Sequence, residues 1–137
     1  MSSIEPSFLD TNVLVYAYSG TEPDKCRKAR TLLHESSLCI STQVINEFIW
    51  VMTRKYGVAP TQLQQIIDAL YDLYRVETVA RKQINQALSL SDSHGFSHWD
   101  ALIIASALQA ECCILYSEDL QHGRFVGNML RIVNPFA

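Results

Sequence analysis

Four acidic residues stand where apolar segments break off: Asp10, Glu47, Asp100 and Asp119. Asp10 follows Ser7-Phe8-Leu9 and precedes Thr11-Asn12 and a second apolar run, Val13-Leu14-Val15-Tyr16-Ala17. Glu47 interrupts the apolar stretch from Val44 to Met52, and Asp100 opens the run from Ala101 to Leu108. Asp119 follows Cys112-Cys113-Ile114-Leu115-Tyr116 by way of Ser117-Glu118. Carboxylates gathered in one low-dielectric cleft repel one another strongly. They persist together by sharing protons or by holding hard cations. Mg²⁺ and Mn²⁺ take oxygen ligands and keep some of their waters. Two such ions can bind a phosphodiester, activate a water and stabilise the leaving oxygen. The chain shows no nucleophile–base pair, and chemistry of this kind needs none.

Each of these positions also has a purely local reading. Thr11 or Asn12 can cap a helix beginning there. Glu47 has high helix propensity and suits an exposed face. With Thr42 as N-cap, however, it lies past the third helical position and is not a capping-box acid. Ser97-x-x-Asp100 fits a capping box, and acids are favoured in a first helical turn. Ser117 or Asp119 can start a short helix. The local and the chemical readings separate only if the fold brings the four acids to one place.

The elements that must do so are legible from periodicity. Ser7–Leu9 reads as a buried strand running into a buried helix. Pro23 opens a helix over 23–35 with Cys26, Ala29, Leu32 and Leu33 on its apolar face, and Lys25, Arg27, Lys28 and Arg30 around the other side. Those cations are either a phosphate-contacting patch or a solvated helix face. Leu38-Cys39-Ile40 is a short strand, followed by a helix that fades near Tyr56-Gly57. Pro60 opens a helix with Leu63, Ile66, Ile67, Leu70, Tyr71 and Tyr74 at three- and four-residue spacing. Arg75-Val76-Glu77 suits an edge strand, Thr78 caps the next helix, and 91–97 is a polar loop. The helix from His98 is apolar on nearly every side, so it belongs in the centre. Strands at 112–116 and at Leu130–Val133 close the chain. This order predicts an α/β fold: a mainly parallel, roughly five-stranded sheet covered by helices on both faces, in three layers. Ligands bind at the carboxyl edge of such a sheet, where all four acids can lie.

Composition bounds the class. The 137 residues are 48% hydrophobic and 18% charged, as in an ordinary globular domain, and a single domain over 1–137 is expected. No apolar stretch approaches a membrane span, and the first residues lack the pattern of a signal peptide. Cys26, Cys39, Cys112 and Cys113 include no Cys-x-x-Cys pair and read as reduced core thiols of a cytoplasmic protein. Net charge is −3, which alone argues against a nucleic-acid partner; setting aside the four acids as metal ligands brings it to +1.

Phe8-Leu9-Asp10-Thr11-Asn12, Asn46-Glu47-Phe48, Trp99-Asp100-Ala101-Leu102-Ile103-Ile104-Ala105-Ser106-Ala107 and Leu115-Tyr116-Ser117-Glu118-Asp119-Leu120 resemble, in order and spacing, the four signatures of PIN-domain nucleases. The similarity is closest to the VapC toxins of bacterial toxin–antitoxin pairs, and Ile132-Val133-Asn134-Pro135-Phe136 resembles the ending of one branch of them. The resemblance implies a Mg²⁺- or Mn²⁺-dependent endoribonuclease with one or two ions, leaving 5′-phosphate and 3′-hydroxyl ends. It implies Asp10, Glu47, Asp100 and Asp119 as the metal-binding and catalytic cluster, with Thr11, Asn12 and Ser117 as supporting polar groups. It also implies a small antitoxin that blocks the cleft, and assembly as a homodimer or as a hetero-oligomer with the antitoxin. The apolar faces of helices 23–35 and 60–74 are expected to help form the antitoxin groove.

Other readings meet specific obstacles. An aspartyl-phosphate phosphatase needs a second Asp two residues after the first, where Asn12 stands. A response-regulator receiver needs its Asp on a middle strand and a Lys at the end of a late one, and neither feature is present. A PIN fold that only binds RNA or protein tends to lose acids from the cluster, and all four are here.

Overall fold

A computed structural model describes residues 5–35 and 37–137. The elements run β1 (Ser7–Leu9), α1 (Thr11–Ser19), α2 (Pro23–Leu33), β2 (Leu38–Ser41), α3 (Thr42–Tyr56), α4 (Pro60–Leu73), β3 (Arg75–Glu77), α5 (Arg81–His94), α6 (His98–Gln109), β4 (Ile114–Tyr116), β5 (Phe125–Val126) and β6 (Leu130–Val133). The sheet order is β3-β2-β1-β4-β6-β5. The first five strands in that order are parallel, and β5 alone runs antiparallel, against β6. Phe8 on β1 pairs with Cys39 on one side and Leu115 on the other, so the three central strands share one register.

The sheet's direction of growth reverses once. From β1 the chain adds β2 and then β3 on one side; it then crosses back to lay β4 on the other. Right-handed crossovers of opposite direction place their helices on opposite faces. That puts α1–α4 over one face and α5–α6 over the other. The reversal makes the gap between the carboxyl ends of β1 and β4 the topological switch point, where an open α/β sheet binds its ligand. β1 is buried throughout, and so is the whole run Ala101–Ala107 of α6, as a helix apolar on every side requires.

Several boundaries differ from expectation, and tertiary hydrogen bonds account for most of them. Asp10 itself, not Thr11 or Asn12, caps α1, its side chain accepting from the Thr11 N–H. Ser41 rather than Thr42 caps α3, accepting from the Val44 N–H at 3.3 Å. The Thr42 hydroxyl is already engaged by the Val79 N–H at 3.0 Å, which ties the start of α3 to the segment after β3. Thr78 is no cap: α5 begins at Arg81, and Gln83 Oε1 accepts from the Ala80 N–H at 2.9 Å. The polar residues 91–94 continue α5, which ends at Gly95 in the left-handed region (φ 74°). The strand expected at 112–116 is shorter, Ile114–Tyr116, and residues 118–120 form bends instead of a short helix. The sheet has six strands rather than five. The sixth, β5, is two residues long and folds back on β6 past Gly127, whose positive φ of 64° makes the turn.

Candidate functional site

β1 ends one residue before Asp10, whose backbone N–H donates to the Tyr116 carbonyl at 2.9 Å and so prolongs the β1–β4 ladder. The side chain therefore leaves the sheet at its carboxyl edge. It is only 7% exposed. Oδ1 accepts from the Thr11 N–H at 2.7 Å, and Oδ2 accepts from the Ser117 hydroxyl at 2.8 Å. Burial pushes the Asp10 carboxyl up to about 6. The bonds from Ser117 and Thr11 pull the other way, and the neighbouring charges of Glu47 and Asp119 add to the rise.

The other acids reach this place from separate elements. Glu47 stands on α3; its Oε1 accepts from the Thr11 hydroxyl at 2.6 Å and its Oε2 from Gln43 Nε2 at 3.3 Å. Asp119 lies on the loop after β4 and accepts from Asn12 Nδ2 at 3.0 Å. Asp100 sits in the first turn of α6, where its backbone N–H donates to Ser97 Oγ at 3.2 Å. Among the described residues the return half of that capping box, from the Ser97 N–H to the Asp100 carboxylate, is not made. Asp10, Thr11, Asn12, Glu47, Asp100 and Asp119 all line one cleft of about 730 Å³. Ser117 is fully buried behind Asp10, and its hydroxyl oxygen also accepts from the Asp119 and Leu120 N–H groups at 3.3 and 3.4 Å.

Four acids on four segments, three of them tethered by Thr11, Asn12 and Ser117, occupy one cleft at the switch point. Residues 7–127 match the PIN domain. The chain belongs to the PIN-domain family. Solved structures with the same fold include a toxin–antitoxin complex from Klebsiella pneumoniae, at TM-score 0.71 and 21% identity over 94% of this chain and 97% of that one. A VapC toxin of Mycobacterium tuberculosis that cleaves the sarcin–ricin loop has TM-score 0.67 and 19% identity over 89% and 91%. A DNA-bound VapBC from Salmonella typhimurium has TM-score 0.64 and 17% identity over 93% and 98%. No curated protein gives a significant match.

The donor set of this PIN domain is all oxygen and mostly anionic, which suits a hard divalent cation. The strained ionisation of Asp10 is relieved by any positive charge placed beside it. As the side chains stand, no three acid, histidine or cysteine groups among the described residues converge tightly enough to wrap an ion. Glu47 and Asp119 each direct an oxygen to a tether, Thr11 and Asn12. The chemistry of the cluster fits the ion.

Two further residues at the site, Glu118 and Gln43, carry no break in an apolar run that marks them in the sequence. Glu118 lines the same cleft, accepting from Tyr16 Oη at 2.7 Å and from Lys25 Nζ at 2.5 Å. Burial works to raise its carboxyl, but the bonds from Lys25 and Tyr16 hold it below the usual range. The cation cluster expected on α2 is thereby largely committed: Lys25 to Glu118, Arg27 to Asp24 at 2.8 Å, and Arg30 to the Ala17 carbonyl at 3.0 Å. Gln43 was detectable as the residue one turn before Glu47 on the same helix face. Its Nε2 also donates to the Trp99 carbonyl at 3.1 Å, joining α3 to the start of α6.

Proposed function

We propose that this PIN domain is a divalent-metal-dependent endoribonuclease, the toxin of a toxin–antitoxin pair, acting in the cytoplasm as one unit over residues 1–137. The observation that carries the reading is the meeting of Asp10, Glu47, Asp100 and Asp119 in one cleft. These four would hold Mg²⁺ or Mn²⁺, as one or two ions. A divalent ion there supplies charge neutralisation at the scissile phosphate and makes water a competent nucleophile at neutral pH. The protein supplies position: Ser117 and the α1 N-terminus fix Asp10, Thr11 and Gln43 orient Glu47, and Asn12 orients Asp119. RNA cleavage is expected to require Mg²⁺ or Mn²⁺, to stop in EDTA and to leave 5′-phosphate ends. Mapping product ends after incubation in each metal and in EDTA checks this; undiminished cleavage in EDTA overturns it.

The antitoxin groove is best placed between α3 and α4. A groove of about 500 Å³ there is lined by Ile49, Leu63 and Ile67. The apolar face of α2 offers less than expected, because Cys26, Ala29 and Leu32 are already buried and Leu33 is partly so. An apolar helical segment of a partner suits the α3–α4 groove, and part of the same surface serves a homodimer or a hetero-oligomer with the antitoxin.

Asp100 offers a test that separates capping from membership of the cluster by sign. A capping acid replaced by Asn costs metal-free stability, roughly 0.5–1 kcal/mol. A cluster acid replaced by Asn removes like-charge repulsion and stabilises the metal-free protein, by about 1 kcal/mol. Because Ser97 serves the Asp100 N–H while the carboxylate faces the cleft, the second pattern is expected. The variant should melt higher in EDTA, gain less from Mn²⁺ and lose most cleavage. Lower melting in EDTA with a full Mn²⁺ shift would make Asp100 a cap.

A further inference from the structure

The chain has two tryptophans, and both stand in the candidate cleft. Trp50 is 62% exposed and Trp99 is 63% exposed. Indoles are the largest apolar groups a protein makes and are seldom left in water on two separate elements without a partner. Each is set beside an acid of the cluster. Trp50 lies one turn beyond Glu47 on α3, and Trp99 immediately precedes Asp100 on α6. Gln43 bonds both to Glu47 and to the Trp99 carbonyl, so the two rings sit on walls that are tied together.

We propose that Trp50 and Trp99 are stacking platforms for bases flanking the phosphate that is cut, so that the substrate is unpaired at the cleavage point. The inference rests on the nuclease reading above and adds which two side chains of this chain hold the bases. Three features select a nucleobase over an apolar protein segment. First, the Arg54 guanidinium lies 4.6 Å from the Trp50 ring centroid, and Lys55 lines the cleft beside it. Aromatic rings interleaved with cations are what a single strand needs, the rings for bases and the cations for the flanking phosphates. Second, the floor between the rings is acidic, and an apolar segment laid over it would strip water from carboxylates without offering them a partner. Third, the greasy groove fit for a partner helix lies elsewhere, between α3 and α4.

Stacking also sets the substrate's shape. A base inside a duplex already has both faces covered by its neighbours and cannot offer one to an indole. Loops, bulges and free strands can. Every base has a π-face, so the pair confers preference for unpaired RNA without strong dependence on sequence.

Because these are the only tryptophans, intrinsic fluorescence reads the two rings directly. The titration uses the Asp10→Asn protein in Mg²⁺, with short oligoadenylate, an abasic ribose-phosphate strand of equal length, and a hairpin stem as probes. Oligoadenylate should quench the emission; the abasic strand and the stem should not. Trp50→Ala and Trp99→Ala should each weaken oligoadenylate binding by roughly 10- to 100-fold. Trp→Phe, which keeps a ring, should restore most of it, and neither alanine variant should change binding of the abasic strand. If wild type cleaves RNA but both alanine variants bind oligoadenylate as tightly as before, stacking is overturned while the nuclease reading stands, and the rings revert to a protein-docking surface. If wild type neither binds nor cleaves RNA in Mg²⁺, both readings fall.

Discussion

Replacing Asp10 by Asn should abolish RNA cleavage and at the same time raise the melting temperature of the metal-free protein at pH 7. Asn keeps the shape and its Oδ1 still caps α1, while its Nδ2 replaces the oxygen that accepts from the Ser117 hydroxyl, which offsets part of the gain. It removes a charge that the fold holds at a cost. Burial raises the Asp10 carboxyl from 3.8 to about 6, so ionising it in the folded protein at neutral pH costs up to about 3 kcal/mol. The sign follows from proton binding. Below about pH 4 the residue is protonated in both folded and unfolded chains, and no penalty exists. Between that pH and about 6 the folded chain keeps a proton that the unfolded chain has released, so stability falls as pH rises through this window. Above it the loss is complete. The Asn variant lacks this component, so the difference between the two proteins should grow from about pH 4 to about pH 6 and then level off.

Divalent metal should invert the comparison. An ion beside the cluster favours the ionised carboxylate and stabilises wild type by mass action, whereas the variant gains less. Cleavage should fall by at least a hundredfold, the scale seen when one preorganised charge-stabilising group is removed from an active site. Melting curves of both proteins in EDTA and in Mn²⁺, across pH 4 to 8, supply the comparison. A variant that melts lower than wild type in EDTA at pH 7, with no pH dependence in the difference, would mean that the Asp10 charge is a structural asset.

The positions of the four acids were legible because each interrupts an apolar run, and such breaks are visible in one dimension. The parallel sheet with helices on both faces was legible for a related reason: helical periods alternate with short β-rich runs; the order of the strands within it was not. What the chain does not display is which polar group claims which partner. Thr42 looks like a cap for α3, yet its hydroxyl belongs to Val79, 37 residues away. Lys25 looks like a free surface cation, yet Glu118, 93 residues away, takes it. Local capping rules compete with hydrogen bonds formed only after the elements pack, and a donor already claimed across the fold is lost to its neighbours. β5 was invisible because two residues carry no period, and Phe125 is 64% exposed. Trp50 reads as one more apolar residue in an apolar helix until the fold shows that it faces the cleft.

Ser117→Ala should be the most damaging substitution among the tethers, and its effect should depend on pH. The hydroxyl is fully buried and serves three groups at once. It donates to Asp10 Oδ2 and accepts from the Asp119 and Leu120 N–H groups. Alanine leaves a buried carboxylate oxygen without its donor and two amides without an acceptor. Each buried polar group left unpaired costs about 1–3 kcal/mol, more where the group is charged, so a loss of roughly 2–4 kcal/mol at pH 7 is expected. The Asp10 share of that loss exists only while Asp10 is ionised. Removing the Ser117 bond, the strongest pull downward on the Asp10 carboxyl, lets it rise further above its already raised position. The window in which stability declines with pH therefore extends upward, and the difference from wild type should be larger at pH 7 than at pH 5. The acid limb of metal-dependent cleavage should move to higher pH for the same reason, because the proton now competes better with the cation for Asp10. A turn-forming serine with no bearing on Asp10 would give an equal stability loss at both pH values and an unmoved acid limb. Thermal melts at the two pH values, together with a pH–rate profile in Mn²⁺, distinguish a group that tunes Asp10 from one that only shapes the loop after β4.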